Sequence, residues 1–484
     1  MNLTVIGRSG SSDAWFMAGA ITVSLLAGLV AAFHGMLLVV ALATVTALAL
    51  VFVRPQWSVS ATIVLAFTAM PAIIPRGISQ FGLSVYFYES TLIVAAIYAW
   101  TQLPPVRYAM SRSLAMAAIA IFGIALGFLL GNPTSRVIED PRGLIQMSIA
   151  ILVAARVAYS PIESTVVRAT KWSLWVSAIL IVAASLSGIK LAGRTEDAGL
   201  SFVGQGERAL SGASRFLTSA THFSLAVTCI CVGLLVVRAS TFRKVWTYLI
   251  PAAIVVFLSF SRNSLVALSL TVIVALLVNR QFRDFVRTVT GVAIVAVTTW
   301  IVSLFARAST DLPSVSWFVT QIDAYWDRVF SGLSGEVIAS DTSAQYRVKE
   351  SQYLTAAIAE SPLYGHGTGY AYRPAVGPAG SYTQTSGVYY AHNFYYWLLV
   401  KSGLIGFAAF VYASFLPLIA AWKRATPRTA VLIGTLVGFL AISTVAPMPL
   451  GTDSGAALLL GSLIGLVCAE VQKPVVVSEV PAEG

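Results

Sequence analysis

The chain has 484 residues, of which 57% are hydrophobic and only 11% charged. Its mean hydropathy is +0.81, and soluble domains carry about 25% charged residues, so a soluble globular fold is excluded. The formal net charge of +11 sits in short clusters between apolar runs rather than in a stripe or tail, so nucleic acid is not an expected partner.

The apolar residues gather in runs of roughly 17–25, the length that crosses ~30 Å of hydrocarbon at 1.5 Å per residue. Backbone groups in lipid must be paired within the segment, so the runs must be helices. In chain order they predict about fourteen spans, at 14–33, 35–53, 57–75, 88–103, 113–131, 143–158, 170–189, 216–237, 245–260, 264–279, 288–306, 392–421, 429–446 and 455–471. The fold class is therefore an all-α polytopic membrane protein of about 12–14 transmembrane helices. Residues 1–306 are expected to form a helix bundle, 307–391 a large external loop with short helices, 392–471 the C-terminal helices and 472–484 a disordered cytoplasmic tail. The start of the chain lacks the basic region and cleavage site of a signal peptide and is expected to be a retained span. Cys229, Cys231 and Cys468 all fall inside apolar runs with no ligand or pairing spacing, and are expected to be core residues.

Alternate short connections are rich in Lys and Arg. They carry Arg54, Arg107, Arg112, Arg156, Arg168, Lys171, Arg238, Arg243, Lys244, Arg280, Arg283, Arg287, Lys423, Arg424 and Arg428, and with Arg8 and Lys473 hold 17 of the 31 basic residues. The positive-inside rule places these connections and both termini in the cytoplasm. The opposite face then holds two long segments, about 190–215 and 307–391, and the second is where function is expected.

Within it, Ala344–Glu360 is expected to form a helix with Tyr346, Glu350, Tyr353, Leu354, Ala357 and Ile358 near one face, ended by Ser361-Pro362. The run Gly365-His366-Gly367-Thr368-Gly369 follows, flexible enough to bring backbone close to a ligand. His392-Asn393-Phe394-Tyr395-Tyr396-Trp397 then opens a span that continues through Lys401-Ser402-Gly403-Leu404-Ile405-Gly406. The segment "AHNFYYWLLVKSGLIG" resembles the signature of the O-antigen ligase and O-antigen polymerase (Wzy-type) superfamily. "RVKESQYLTAAIAESPLYGHGTGY" resembles the Arg-led helix, Pro-Leu and Gly-rich turn of that family, and "FSRNSLVAL" its Ser-Arg motif. The stretch from Arg208 to His222 resembles another external segment of the family. One departure is Lys401-Ser402, where many members carry an acidic residue just before the Gly step.

The resemblance implies a metal-independent glycosyltransferase at the outer face of the bacterial cytoplasmic membrane. It would move a glycan from an undecaprenyl-pyrophosphate carrier to an acceptor hydroxyl on a glycan or lipid, as a polymerase or a ligase. Such a displacement needs a base for the acceptor hydroxyl and cations for the leaving pyrophosphate. An ordinary histidine titrates near ~6.5, suited to a general base, and His392 at the mouth of a helix is the candidate; the plainer reading is an interfacial histidine among belt aromatics. Arginine forks match phosphate oxygens, which singles out Arg262 in the turn Ser261-Arg262-Asn263-Ser264, with Arg215 and Arg347 beside it as candidates; each also reads as a solvated or snorkelling arginine. Asn393, Tyr395, Tyr396, Trp397, His222 and Glu89 are candidates for sugar or lipid contact. For Glu89, pairing with one of these arginines is expected; for His222 and the aromatics, a core histidine and an interfacial belt are the alternatives. No Asp-x-Asp, metal-ligand cluster or P-loop pattern occurs, so no metal or nucleotide cofactor is expected. A flippase or exporter of lipid-linked oligosaccharides is the competing function, but it needs cations lining a passage through the membrane, and only Lys401 lies well inside a run.

Overall fold

A computed structural model describes residues 54–80, 83–200, 211–281, 312–378 and 380–472. The expected spans at 14–33, 35–53 and 288–306, the segment 201–210 and the tail beyond 472 lie outside the described residues.

The described residues form an all-α membrane protein. In chain order the helices are α1 (Trp57–Phe67), α2 (Phe87–Gln102), α3 (Arg107–Leu129), α4 (Thr134–Glu139), α5 (Arg142–Val157), α6 (Glu163–Ser187), α7 (Ala220–Val236), α8 (Phe242–Phe257) and α9 (Arg262–Val278). They continue with α10 (Pro313–Tyr325), α11 (Gly335–Ser340), α12 (Thr342–Glu360), α13 (Phe394–Ser414), α14 (Leu416–Trp422), α15 (Pro427–Ile442) and α16 (Ala456–Gln472). Two antiparallel hairpins complete the set: β1 (Gly77–Gln80) with β2 (Leu83–Tyr86), and β3 (Arg194–Asp197) with β4 (Ser214–Leu217).

Among the described residues three helices are long and apolar enough to cross a membrane, Arg107–Leu129, Glu163–Ser187 and the continuous Phe394–Trp422, and five shorter apolar helices accompany them. The apolar run at 57–75 gives a helix only to Phe67. Thr68 is extended, and Pro71 and Pro75 beyond it cannot supply helical N–H groups. The chain there instead pairs with the segment after α6, through Ala72 N–H to the Lys190 carbonyl and Ala192 N–H to the Met70 carbonyl. The run at 216–237 likewise begins in β4 before turning helical at Ala220.

The helices approach closely where their faces are small, as expected where lipid gives no hydrophobic drive between helices. α16 lies on α5 with Gly461 and Gly465 against the Met147 and Ile151 carbonyls. The three cysteines are buried and unpaired, in accord with the core reading.

The feature that organises the functional end is a break in α13. Gly403 has φ 60° and ψ −163°, so the helix interrupts its own hydrogen bonding there. The segment after α12 fills the gap. His366 and Gly367 donate to the carbonyls of Val400 and Lys401 (2.8 and 3.0 Å), while Leu404 and Ile405 donate to those of Pro362 and Leu363 (2.9 and 3.3 Å). The Gly-rich run therefore brings backbone close to a helix rather than to a ligand. Lys401, 1% exposed, closes the same junction: its Nζ lies 2.6 Å from Asp140 Oδ2 and 2.8 Å from the Tyr370 carbonyl, and Asp140 also accepts from Gly369 N–H at 2.8 Å.

Removing one partner of a buried ion pair strands the other charge, at about 3–5 kcal/mol. Asp140→Asn is therefore expected to lower the thermal midpoint of the purified protein sharply, and Lys401→Met in the same chain to recover much of the loss. Thermal unfolding of the single and double variants measures both.

Candidate active site

His392 precedes the first turn of α13, and its neighbour Asn393 explains why the helix starts there. The Asn393 side chain accepts from the N–H groups of Tyr395 and Tyr396, satisfying two donors that a helix start leaves open. The cap fixes the direction from which the imidazole enters the site.

The imidazole meets Glu350 of α12, 42 residues earlier in the chain. Nδ1 lies 3.1 Å from Oε2 and 3.3 Å from Oε1, and the His392 backbone N–H donates to Oε2 at 2.9 Å. Glu350 is 2% exposed, and it also accepts from the Tyr372 hydroxyl at 3.0 Å. Burial by itself would raise the Glu350 carboxyl. The ring bond and charge attraction of His392, its backbone N–H and the Tyr372 hydroxyl outweigh burial and hold the carboxyl below its ordinary value. Burial also pushes the Tyr372 and Tyr390 phenols up, so both stay neutral. The rings of Tyr346 and Tyr390 stand edge-on to the imidazole on either side, each with centroids 5.7 Å away. An anionic acceptor facing Nδ1 selects the tautomer with the proton on Nδ1, which leaves Nε2 a free lone pair. The imidazole is 26% exposed, enough for a substrate hydroxyl to reach it.

The three candidate arginines gather around one turn. Arg262 opens α9, donates through Nε to the Arg328 carbonyl at 3.1 Å, and pairs with Asp341 at 3.2 Å. Asp341 is also the N-cap of α12, accepting from Ser343 N–H at 2.9 Å, so Arg262 is tied to the helix that carries Glu350. Arg215 on β4 pairs directly across the hairpin with Glu196 at 2.8 Å and donates to the Ser259 carbonyl at 3.0 Å, just before that turn. Arg347 lies one turn before Glu350 on α12. Burial lowers its guanidinium from the usual arginine value, against the pull of Asp341 and Glu350. Its Nε is enclosed without a hydrogen-bond partner among the described residues. Of the three, Arg347 retains open donor capacity.

The remaining candidates are distributed differently. Trp397 is 2% exposed, donates its indole N–H to the Tyr389 carbonyl at 2.9 Å and stacks near Phe394, so its faces meet protein. The Tyr395 hydroxyl donates to the Leu440 carbonyl at 2.6 Å, and Tyr396 is half-buried beside it. His222 lies in the first turn of α7 with Nδ1 enclosed and unbonded among the described residues. Glu89 does not pair with Arg215, Arg262 or Arg347. It caps α2 through the Tyr86 N–H and holds Arg142 at 2.6 Å and Gln146 at 2.7 Å, because α5 packs beside α2 and presents those two residues to it. His366 has a structural place, with Nε2 2.8 Å from the Ala357 carbonyl and its ring stacked on Tyr370. Among the described residues no three His, Cys, Asp or Glu side chains come together as a metal site would require.

Sequence reasoning set Glu350 on the right helix face without joining it to His392. The signal was a carboxylate on a face otherwise apolar and aromatic, which a buried partner explains.

Residues 247–411 match the family model described as O-antigen ligase, which supports placing the chain in the O-antigen ligase and polymerase superfamily. No curated protein and no solved structure matches the chain.

The depressed Glu350 carboxyl makes a prediction with a definite sign. Its contribution to stability is fully present above its ordinary value of 4.5 and is lost as pH falls through the lower folded value. The thermal midpoint of wild type should exceed that of Glu350→Gln above about pH 4.5. That margin should close on further acidification, which melts of both proteins at stepped pH would read.

Proposed function

We propose that this membrane protein transfers a glycan from an undecaprenyl-pyrophosphate carrier to an acceptor hydroxyl, at the outer face of the bacterial cytoplasmic membrane. The observation that carries the reading is the His392–Glu350 pair, a solvent-accessible imidazole with a buried carboxylate on Nδ1, inside the region that matches the O-antigen ligase family.

In this mechanism the acceptor oxygen attacks the anomeric carbon while its proton passes to His392 Nε2. The bond from that carbon to the pyrophosphate oxygen breaks, and the leaving group departs with the electron pair. Glu350 orients the ring and stabilises the imidazolium that forms, the role a buried carboxylate plays in hydrolytic triads. Arg347, one turn from Glu350 and with its Nε unbonded among the described residues, receives the developing pyrophosphate charge. Arg262 and Arg215 hold the α8–α9 turn against α12 and the β3–β4 hairpin. Both polymerase and ligase chemistry fit this arrangement, since they differ only in the acceptor.

The topology that goes with this reading has both termini in the cytoplasm. The helix ends at the far side from His392 carry the basic connections: Arg156 donates to the Ala99 and Leu103 carbonyls, Arg424 to that of Val471, and Arg428 pairs with Glu163 and Glu470. The exporter reading draws less support, because Lys401 is closed on Asp140 rather than facing a passage.

Purified protein is expected to move glycan from a synthetic undecaprenyl-pyrophosphate oligosaccharide to an acceptor with chelator present. His392→Ala should lose at least about a hundredfold in turnover, the lower range for a general base. Arg347→Ala should lose a comparable factor, about 3 kcal/mol of leaving-group stabilisation. Wild type that is inactive with several such donors yet carries one across proteoliposomes would replace this reading with the exporter. Product length separates a polymerase ladder from a single ligation.

A further inference from the structure

A cavity of about 230 Å³ lies against the dyad, between α12 and the loop that follows it. We propose that it binds the terminal sugar of the acceptor and that this sugar carries an anionic substituent, a carboxylate or a phosphate. The inference rests on the transferase reading and adds to it the chemical class of the acceptor.

The cavity adjoins the dyad through two residues of its wall, Tyr346 and Glu350, which both contact His392. The volume is below the ~300–1,000 Å³ of sites for drug-sized ligands, which suits one terminal residue of a chain. Tyr346 and Tyr353 give the wall aromatic surface for the C–H face of a sugar ring.

The wall carries two cations, Lys349 and Arg373, and one carboxylate, Glu350. Lys349 is exposed and Arg373 half-buried, and both line the cavity. Arg373 is anchored by Nε on the Gly387 carbonyl at 2.8 Å, with its guanidinium over the Tyr346 ring at 5.0 Å. Its Nη2 is enclosed and has no hydrogen-bond partner among the described residues. Lys349 takes part in no ion pair among them. The carboxylate on this wall, Glu350, is hydrogen-bonded to His392 and Tyr372 and to neither cation. An enclosed guanidinium donor left unsatisfied is costly, and an anionic acceptor group would satisfy it with a charge-assisted bond. A site built to hydrogen-bond such a group rejects the analogue lacking it, because its own donors are then left unpaired.

The test uses the full-length protein in nanodiscs and three trisaccharides, alike except for a terminal glucuronic acid, glucose 6-phosphate or glucose. Saturation-transfer NMR titrations should show the acidic sugars binding at least about tenfold more tightly than the neutral one at low salt. The preference should shrink in Lys349→Gln, an exposed helix position where the charge alone is removed, and in Arg373→Gln. Comparison of the two acidic sugars tells carboxylate from phosphate. Equal affinity for acidic and neutral sugars, or a preference untouched by both variants, overturns the proposal. Donor turnover by wild type is measured in parallel. Turnover without an acidic preference sinks the subsite and leaves the transferase standing, whereas an acidic preference without turnover sinks the transferase reading on which the proposal rests.

Discussion

Glu350 is a carboxylate with 2% exposure, and everything around it follows from the need to satisfy that charge. A buried anion is tolerated only where partners and hydrogen bonds replace water. Here the partners come from two places: the ring and backbone of His392 at the head of α13, and the Tyr372 hydroxyl in the loop. Satisfying one carboxylate thus pins the helix, the loop and the imidazole to each other. The same bonds that stabilise the charge orient the ring for chemistry, so stability and function are not separate demands at this point.

A second constraint sets the frame in which the first operates. The left-handed Gly403 opens α13, and the chain between α12 and the loop closes it with four backbone hydrogen bonds. Lys401 and Asp140 seal the junction from inside. Lys401 stands where the family resemblance led to an acidic residue being expected, and its partner shows why a cation is accommodated: the loop between α4 and α5 supplies the opposite charge. α12 and α13 therefore meet at two points, the broken helix and the dyad. Arg262 adds a third tie to α12, through Asp341.

Much of the fold was legible because lipid permits so few solutions. Each apolar run within the described residues coincides with a helix, since no other backbone satisfies itself in hydrocarbon. Boundaries failed where local chemistry overrode the apolar pattern, at Pro71 and Pro75 after α1 and at β4 before α7. The site was half legible. His392 and the arginines stand out because polar residues at the edge of apolar runs are uncommon and need a reason. Their partners do not stand out. Glu350, Asp341 and Asp140 lie 42, 79 and 261 residues from the groups they bind, and only the fold brings them near. Glu89 illustrates the converse: one of the site arginines was its candidate partner, but the packing of α5 on α2 selects Arg142.

In the proposed mechanism His392 and Glu350 act as one unit, which a double-mutant cycle on transfer rate would show. Turnover would be measured for wild type, His392→Ala, Glu350→Gln and the double variant, with folding of each checked by thermal unfolding. The account predicts that Glu350→Gln slows the wild type but makes His392→Ala no slower, because a carboxylate that works through the ring has nothing to do once the ring is gone. Losses that simply add in the double variant would contradict it, and would show that the buried carboxylate and the histidine serve the reaction independently.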